Sequence, residues 1–263
     1  LCAVDFTLKR LIIPLVDAQL NQGHFVKSVC SFGGHLDDLK RKGYKIEVIP
    51  IERNLSPVKG LVSIWRLFLF FRRESFDVVH VHTPVAEFLA RIAAFFARVP
   101  LVVYTAHGFY FHDEMPVLKR LIFISAEIAM RPLTDLLFTQ SQEDAVNAAS
   151  LKIMNKKRIF YIGNGVDTKR FNPAIKYNIE DLNLPKDKVV IGMVSRLVQE
   201  KGIVEFLDAA KKLALDYSHV YFLLVGSRLP SDYDSSVDSA IQDAETVLGN
   251  RLILAGAVSY PHL

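Results

Sequence analysis

An apolar segment followed by a cationic turn constrains this sequence more than any other feature. Residues 189–194 are apolar and rich in β-branched side chains, which is typical of a buried parallel strand. After Ser195 the pattern changes, and apolar residues recur at helical spacing through 203–214. Arg196 and Lys201 are therefore predicted to lie between the carboxyl end of a strand and the amino end of a helix.

Such a turn suits an anionic ligand. The first N–H groups of a helix lack an intrahelical acceptor, and the helix dipole is positive at that end. The guanidinium of Arg196 and the ammonium of Lys201 add the donors that two linked phosphates need. The alternative is a solvated loop with two ordinary surface cations, and the turn alone does not decide between them.

Short apolar runs alternate with helical patterns along the whole chain, which predicts an α/β fold built from βαβ units with parallel sheets. We expect two Rossmann-like domains in tandem. No Gly-x-Gly-x-x-Gly fingerprint occurs, which argues against NAD binding. The strands are expected at residues 1–4 (the tail of a first strand), 25–31, 46–51, 77–82, 101–106, 136–139, 159–162, 189–194, 220–225 and 251–255.

A polar segment at 173–187, with few large apolar residues, is predicted to be a linker. The first domain would then comprise residues 1–172, with its first strand partly missing, and residues 188–263 would form a second domain truncated after three strands. Residues 1–172 carry 23 Lys and Arg against 16 Asp and Glu, whereas the remainder carries 9 against 12. A basic first domain suggests an anionic partner or surface.

The two cysteines and the hydropathy of the sequence indicate the cellular compartment of the protein. Cys2 and Cys30 lie in strand-like apolar runs, and we expect buried free thiols in a reducing compartment. The sequence has no signal-peptide pattern and no uninterrupted apolar stretch of about 18 residues. A cytoplasmic location is therefore expected.

One helical segment, residues 57–71, is unusually apolar and is flanked by arginines. Such a helix is able to lie on an anionic membrane surface, with aromatic side chains below and arginines at the headgroups. Packing across the sheet is the favoured prediction, because the apolar residues surround the helix instead of forming one stripe.

Four histidines lie near two predicted strand ends. His80 and His82 point to the same face of one strand, and His107 and His112 follow the next. Four such side chains are able to hold a metal, which keeps a metal-dependent hydrolase open as an alternative function. Acidic residues are sparse nearby, so a structural or substrate-contacting role is favoured.

His107 is the first residue after the strand predicted at 101–106. Ligands of open α/β sheets bind outside the carboxyl ends of the strands. Gly108 lets the backbone turn there or approach a ligand closely. We therefore predict a functional His107, against the alternative of a capping residue in an aromatic loop.

The segment Asp232-Tyr233-Asp234 matches the Asp-x-Asp pattern that holds a divalent metal and a sugar-nucleotide diphosphate in some transferases. Here it precedes a predicted helix rich in Ser and Asp, where carboxylates are favoured by capping and by the dipole. We predict a capping sequence and no metal site.

Taken together, four segments resemble glycosyltransferase family 4, whose members are retaining sugar transferases of the GT-B fold. The order and spacing of the four segments make the resemblance specific. They are DVVHVHTP at 77–84, TAHGFYF at 105–111, GNGVDTKRFNP at 163–173 and SRLVQEKG at 195–202.

The resemblance implies a nucleotide-sugar donor, a UDP-sugar, bound mainly by the second domain in the cleft between the domains. Arg196 and Lys201 match the pair that holds the donor diphosphate, and His107 matches the histidine that contacts the donor sugar near its reacting carbon. Gly165 and Val166 fall in the matching donor-binding segment. Family members of this type need no metal cofactor and no nucleic acid.

The form of the 107–111 segment is similar to members that extend lipid-linked or capsular and exopolysaccharide sugars in bacteria. This implies a glycan or lipid-diphosphate-linked acceptor and a peripheral contact with the inner membrane face. Residues 4–7 replace the family's glycine-rich loop, and a Glu-x7-Glu segment is not reached before Leu263, so this chain is expected to lack activity. A non-catalytic membrane-bound scaffold is a further alternative.

Overall fold

The computed structural model of the chain describes residues 1–51, 57–169, 171–174, 184–185, 187–228 and 236–256. The chain divides into two compact units, Leu1–Gly165 and Val166–Leu263. The predicted linker at 173–187 and the Asp232–Asp234 segment lie largely or wholly outside the described residues. The predicted domain boundaries stay predictions.

The strands of the first unit are parallel, as the short apolar runs predicted. They are β1 (Ser28–Cys30), β2 (Ile46–Val48), β3 (Val78–His82), β4 (Leu101–Ala106), β5 (Leu136–Thr139) and β6 (Ile159–Tyr161). β1 pairs with β2, and the other four form a sheet in the order β3-β4-β5-β6.

Residues 1–3 run extended between the two sheets of the first unit. The Cys2 N–H donates to the carbonyl of Val29 in β1 (3.0 Å), and the His82 N–H in β3 donates to the carbonyl of Leu1 (2.9 Å). The predicted tail of a first strand therefore has hydrogen-bonding partners on both sides.

Helices connect these strands. They are α1 (Asp5–Thr7), a π-helical segment (Leu8–Ile12), α2 (Ile13–Asn21), α3 (Leu36–Arg41), α4 (Pro57–Glu74), α5 (Pro84–Ala97), α6 (Val117–Met130) and α7 (Gln142–Ser150). Asp5–Thr7 is helical and follows directly after residues 1–4. The Leu8 N–H donates to the Val4 carbonyl (3.2 Å), so helical hydrogen bonding begins directly after the extended segment.

Packing in the first unit centres on α4, α5 and the β3–β4 pair. Ala90, Ala93 and Ala94 of α5 are fully buried, and such small side chains let helices approach closely. Leu67 and Phe70 of α4 are buried in the same core. The predicted packing of the apolar helix is confirmed for this inner face only, because its outer face is exposed.

The second unit has three parallel strands in the order β7 (Val189–Val194), β8 (Val220–Val225) and β9 (Leu252–Gly256), with helices α8 (Ile203–Asp216) and α9 (Ser236–Leu248). β7 lies at an edge of the sheet that the described residues form. Val189 is 52% exposed and Val194 63%, so β7 is parallel as predicted but less buried than predicted.

Two other predictions concern the whole chain. Cys2 and Cys30 are buried free thiols, as expected, and burial raises the pKa of Cys30 to about 12. None of the helices in the described ranges combines the length and the apolar character that crossing a membrane needs.

Candidate functional site

Loops of the first unit meet at the carboxyl edge of its sheet. His82 is the last residue of β3, and His107 directly follows β4. The register pairs His82 with Thr105, so His107 lies two residues further along β4 on the same side as Thr105. Parallel pairing thus brings side chains 25 residues apart in sequence to one point.

Three histidines form a contact chain at this point. Nδ1 of His82 lies 3.0 Å from Nε2 of His107, and Nε2 of His80 lies 2.7 Å from Oγ1 of Thr105. The rings of His80 and His82 have centroids 4.3 Å apart. The predicted common face of His80 and His82 is confirmed.

Burial makes these imidazoles weak bases. Desolvation lowers the pKa of His80 to about 3 and the pKa of His82 well below its usual value. Desolvation also lowers the pKa of His107, which is half-buried, while a side-chain hydrogen bond with Gln140 acts in the opposite direction. At neutral pH all three side chains are uncharged.

The four histidines considered as metal ligands do not form a ligand set. Ring nitrogens of His82 and His107 are hydrogen-bonded to each other, and His112 is exposed. In the part of the chain that the structure describes, no group of three or more His, Cys, Asp or Glu side chains is arranged to hold a metal ion.

Asp5 occupies the turn after the extended residues 1–3. Its carboxylate accepts hydrogen bonds from the N–H groups of Phe6 (2.8 Å) and His35 (2.7 Å). A Cβ at Gly33 would lie 2.2 Å from this carboxylate, so only glycine leaves it room. Asp5 thereby joins the start of α1 to the residue before α3.

Gly165 and Val166, the predicted donor-binding residues, follow β6. The turn leaves the strand through Gly163, which has a φ of 66° and therefore favours glycine. The Cβ that any other residue would add at Gly165 meets no atom within 4 Å, and Val166 is 66% exposed. This turn is open to a ligand at the same sheet edge as His107.

In the second unit, Arg196 and Lys201 lie where the sequence predicted them. Arg196 follows the carboxyl end of β7, and Lys201 ends a 3-10 turn directly before α8. Gly202 is the N-cap of α8 with a φ of 75°, a conformation that suits glycine.

Arg196 is engaged by a neighbour on the same turn. Its Nη2 lies 2.5 Å from Oε1 of Glu200, and the two side chains are 38% and 65% exposed. Exposed ion pairs of this kind stabilise a protein by about 0–1 kcal/mol.

The Arg196 turn is fixed by the adjacent strand. The Ser195 N–H donates to the carbonyl of Val225 (3.0 Å), at the end of β8. Gly226 follows with a φ of 145°, and a Cβ there would lie 1.8 Å from the Ser195 carbonyl oxygen. The glycine lets β8 approach the turn.

Arg228 is a residue that the sequence analysis missed. Its Nε donates to the carbonyl of Leu197 (3.2 Å), and its two Nη atoms bind both carboxylate oxygens of Asp238 (3.0 and 2.6 Å). Arg228 thereby ties the Arg196 turn to the first turn of α9. Its position just after β8, at the sheet edge that carries Arg196, could have identified Arg228 from the sequence.

Solved structures share this architecture. A glycosyltransferase from Rickettsia africae superposes with a TM-score of 0.74, at 18% identity, over 98% of this chain and 67% of that one. HepE of Anabaena, solved with UDP, gives a TM-score of 0.70 at 19% identity over 94% and 65%. The fold is that of the GT-B glycosyltransferases.

The sequence comparisons define the family. The model of Glycosyltransferase Family 4 matches residues 9–170, and this chain belongs to that family. It is 30% identical to an Escherichia coli UDP-Gal:alpha-D-GlcNAc-diphosphoundecaprenol alpha-1,3-galactosyltransferase over 93% of the chain, and 27% identical to Staphylococcus aureus CapM, a capsular polysaccharide biosynthesis glycosyltransferase, over 73%. The chain spans 65% and 51% of the lengths of these relatives.

Proposed function

We propose that the protein transfers a sugar from a UDP-sugar to a lipid-diphosphate-linked or glycan acceptor, with retention, in bacterial surface polysaccharide synthesis. The observation that carries the proposal is the Arg196–Lys201 turn, which joins the carboxyl end of β7 to the amino end of α8 in a family 4 chain. The names of the E. coli and S. aureus relatives support the substrate classes.

The turn matches the chemistry of a leaving nucleoside diphosphate. Negative charge accumulates on the diphosphate as the sugar–phosphate bond breaks, and donors placed there stabilise that charge. Arg196 offers two parallel N–H donors and Lys201 a point charge, beside the unpaired N–H groups at the start of α8. The Arg196–Glu200 ion pair holds the guanidinium near the turn until the phosphate arrives.

We assign His107 to the donor sugar and Gly165 and Val166 to the donor. Desolvation keeps His107 uncharged near neutral pH, so it acts as a hydrogen-bonding group and adds no charge to the site. The open turn at Gly165 leaves the backbone accessible. The donor diphosphate is thus balanced by Arg196 and Lys201, without a contribution from the histidine.

The assignment is tested in a catalytically active protein that contains this chain, with a UDP-hexose and a polyprenyl-diphosphate sugar as substrates. Arg196→Ala and Lys201→Ala should each lower kcat about 100- to 1000-fold. Arg196→Lys should recover only part, because lysine lacks the bidentate fork. Lys212→Ala, an exposed lysine on α8, is the matched control. Normal turnover by Arg196→Ala, or an inverted anomer in the product, would contradict the assignment.

We further propose that the outer face of α4 contacts an anionic membrane. This face carries exposed apolar side chains, with Trp65 60% exposed and Leu61 68%. Arg66 and Arg72 are exposed on the same helix. Aromatic and aliphatic side chains insert at the headgroup boundary, while arginines attract anionic lipids. The name of the E. coli relative supports this contact, because its acceptor is linked to diphosphoundecaprenol, a lipid.

Vesicle co-sedimentation tests this contact, with phosphatidylglycerol vesicles compared with phosphatidylcholine vesicles. Each cation near an anionic surface contributes about 1 kcal/mol, so reversing Arg66 and Arg72 to Glu should lower partitioning more than about 30-fold. Trp65→Ser should lower it as well. The controls are Lys156→Glu with Lys157→Glu for charge, and Leu215→Ser for apolar area. Binding that is insensitive to salt and to these arginines would overturn the proposal.

A further inference from the structure

A buried hydrogen bond between two imidazoles lies behind the proposed sugar-contacting histidine. His82 is 3% exposed, and its Nδ1 is 3.0 Å from Nε2 of His107, with the ring planes inclined at 42°. The two residues come from adjacent strands, β3 and the end of β4.

The contact between these nitrogens needs one proton, and either ring is able to carry it. Desolvation lowers the pKa of both rings, so both are neutral near pH 7 and each carries one N–H. A bond between Nδ1 of His82 and Nε2 of His107 needs one proton in the contact. Two protons would repel, and none would leave two lone pairs facing each other.

We infer that His82 is a positioning residue: it fixes the ring orientation of His107, and the shared proton ties the tautomer of His107 to that of His82. A neighbour that engages one ring nitrogen sets which nitrogen carries the proton at the other. The relevance to the donor sugar rests on the function proposed above, whereas the tautomer does not.

Neighbouring side chains support this arrangement. His80 packs on His82 with ring centroids 4.3 Å apart, while its own Nε2 is engaged by Thr105 (2.7 Å). The titratable groups that act on the His82–His107 contact from the described elements are His80 on β3, the two rings themselves and the amino group of Leu1, whose charge lowers the pKa of His80 and His82. Gln140, after β5, is uncharged and hydrogen-bonds to His107. None of these groups carries a negative charge that would favour the protonated form of either imidazole.

The test is long-range 1H–15N NMR of the whole chain with 15N-labelled histidine, in the absence of nucleotide. We expect His107 in a single neutral tautomer at pH 7.5. His82→Leu, which keeps the volume and removes the nitrogen, should give a mixture of His107 tautomers. His82→Asn places an amide near the position of Nδ1 and should restore the single tautomer.

His80→Leu is the matched control, since it alters a buried histidine on the same strand face without removing the contact to His107. We expect it to leave the His107 tautomer unchanged. A tautomer mixture for His107 in the wild type, or a His82→Leu spectrum equal to the wild type at His107, would overturn the inference. Because the spectra are recorded without nucleotide, either result is separable from failure of the proposed transferase function.

Discussion

Histidines buried beside the proposed site make the stability of the first unit depend on pH. The folded-state pKa of His80 is about 3, against 6.5 for the exposed side chain, because burial disfavours the charged ring. Between pH 6.5 and pH 3 the His80 side chain binds a proton in the unfolded chain but stays neutral in the folded chain. The contribution is therefore fully present above pH 6.5 and is lost as the pH falls towards 3.

At pH 5 this loss amounts to about 2 kcal/mol for one such histidine, from 1.36 kcal/mol per pKa unit. Urea unfolding at pH 7.5 and pH 5 measures it, and His80→Leu should show a smaller loss between the two pH values than the wild type. The exposed His24, replaced by Gln, should keep the wild-type loss. An unchanged pH dependence in His80→Leu would contradict the assigned burial effect.

Some features of the site could be predicted from the sequence, and others could not. His107, Arg196 and Lys201 were located by their positions after strand ends, and the structure places each of them there. The 3.0 Å contact between His82 and His107 could not be predicted from the sequence, because it depends on the register of β3 against β4. A one-residue slip would move the side chain to the other face of the sheet.

Among the elements, the junction of β7 and β8 depends on one glycine. Gly226→Ala would place a methyl group against the Ser195 carbonyl oxygen in a backbone conformation with positive φ. We expect a cost on the order of 1–3 kcal/mol and a displaced Arg196 turn. Gly192→Ala, within β7, makes only ordinary contacts of 3.8 to 3.9 Å and is the control. Equal unfolding free energies for the two variants in urea would refute this role.

A buried charge network joins α5 to α6. Arg91 is 2% exposed; it pairs with Glu87 and with Glu127 (3.2 Å) and donates to Thr134 (3.1 Å). Burial raises the pKa of Glu87 well above its usual value, which favours the protonated form of this carboxyl group beside Arg91 and Glu127. A helix pattern shows apolar faces, but it does not show which charged residues pair across two helices.

Arg91→Leu should therefore destabilise the first unit by about 3–5 kcal/mol, because it leaves buried carboxyl groups without their cation. Glu87→Gln should cost less, because burial favours the protonated form of Glu87, which glutamine resembles. Lys157→Leu, at an exposed position, should stay within about 0.5 kcal/mol of the wild type. A loss in Glu87→Gln as large as that in Arg91→Leu, measured by urea unfolding, would contradict a protonated Glu87.

At the scale of the whole molecule, the alternation of strands and helices predicted the α/β class and the parallel pairing, because buried parallel strands and amphipathic helices have distinct periodicities. The exposed outer face of α4 was not predicted. Apolar residues occur on all sides of α4. The sequence pattern therefore did not show that Trp65 and Leu61 are exposed whereas Leu67 and Phe70 are buried in the core.

Calorimetric titration of the chain with UDP tests the central claim, the diphosphate site at the turn before α8, most directly. We expect binding that weakens with added salt, and a loss of at least about tenfold in affinity for Arg196→Ala and for Lys201→Ala, the scale of one charge-assisted hydrogen bond. Lys212→Ala should bind as the wild type does. If Arg196→Ala and Lys201→Ala bind UDP with wild-type affinity, the diphosphate does not bind at this turn.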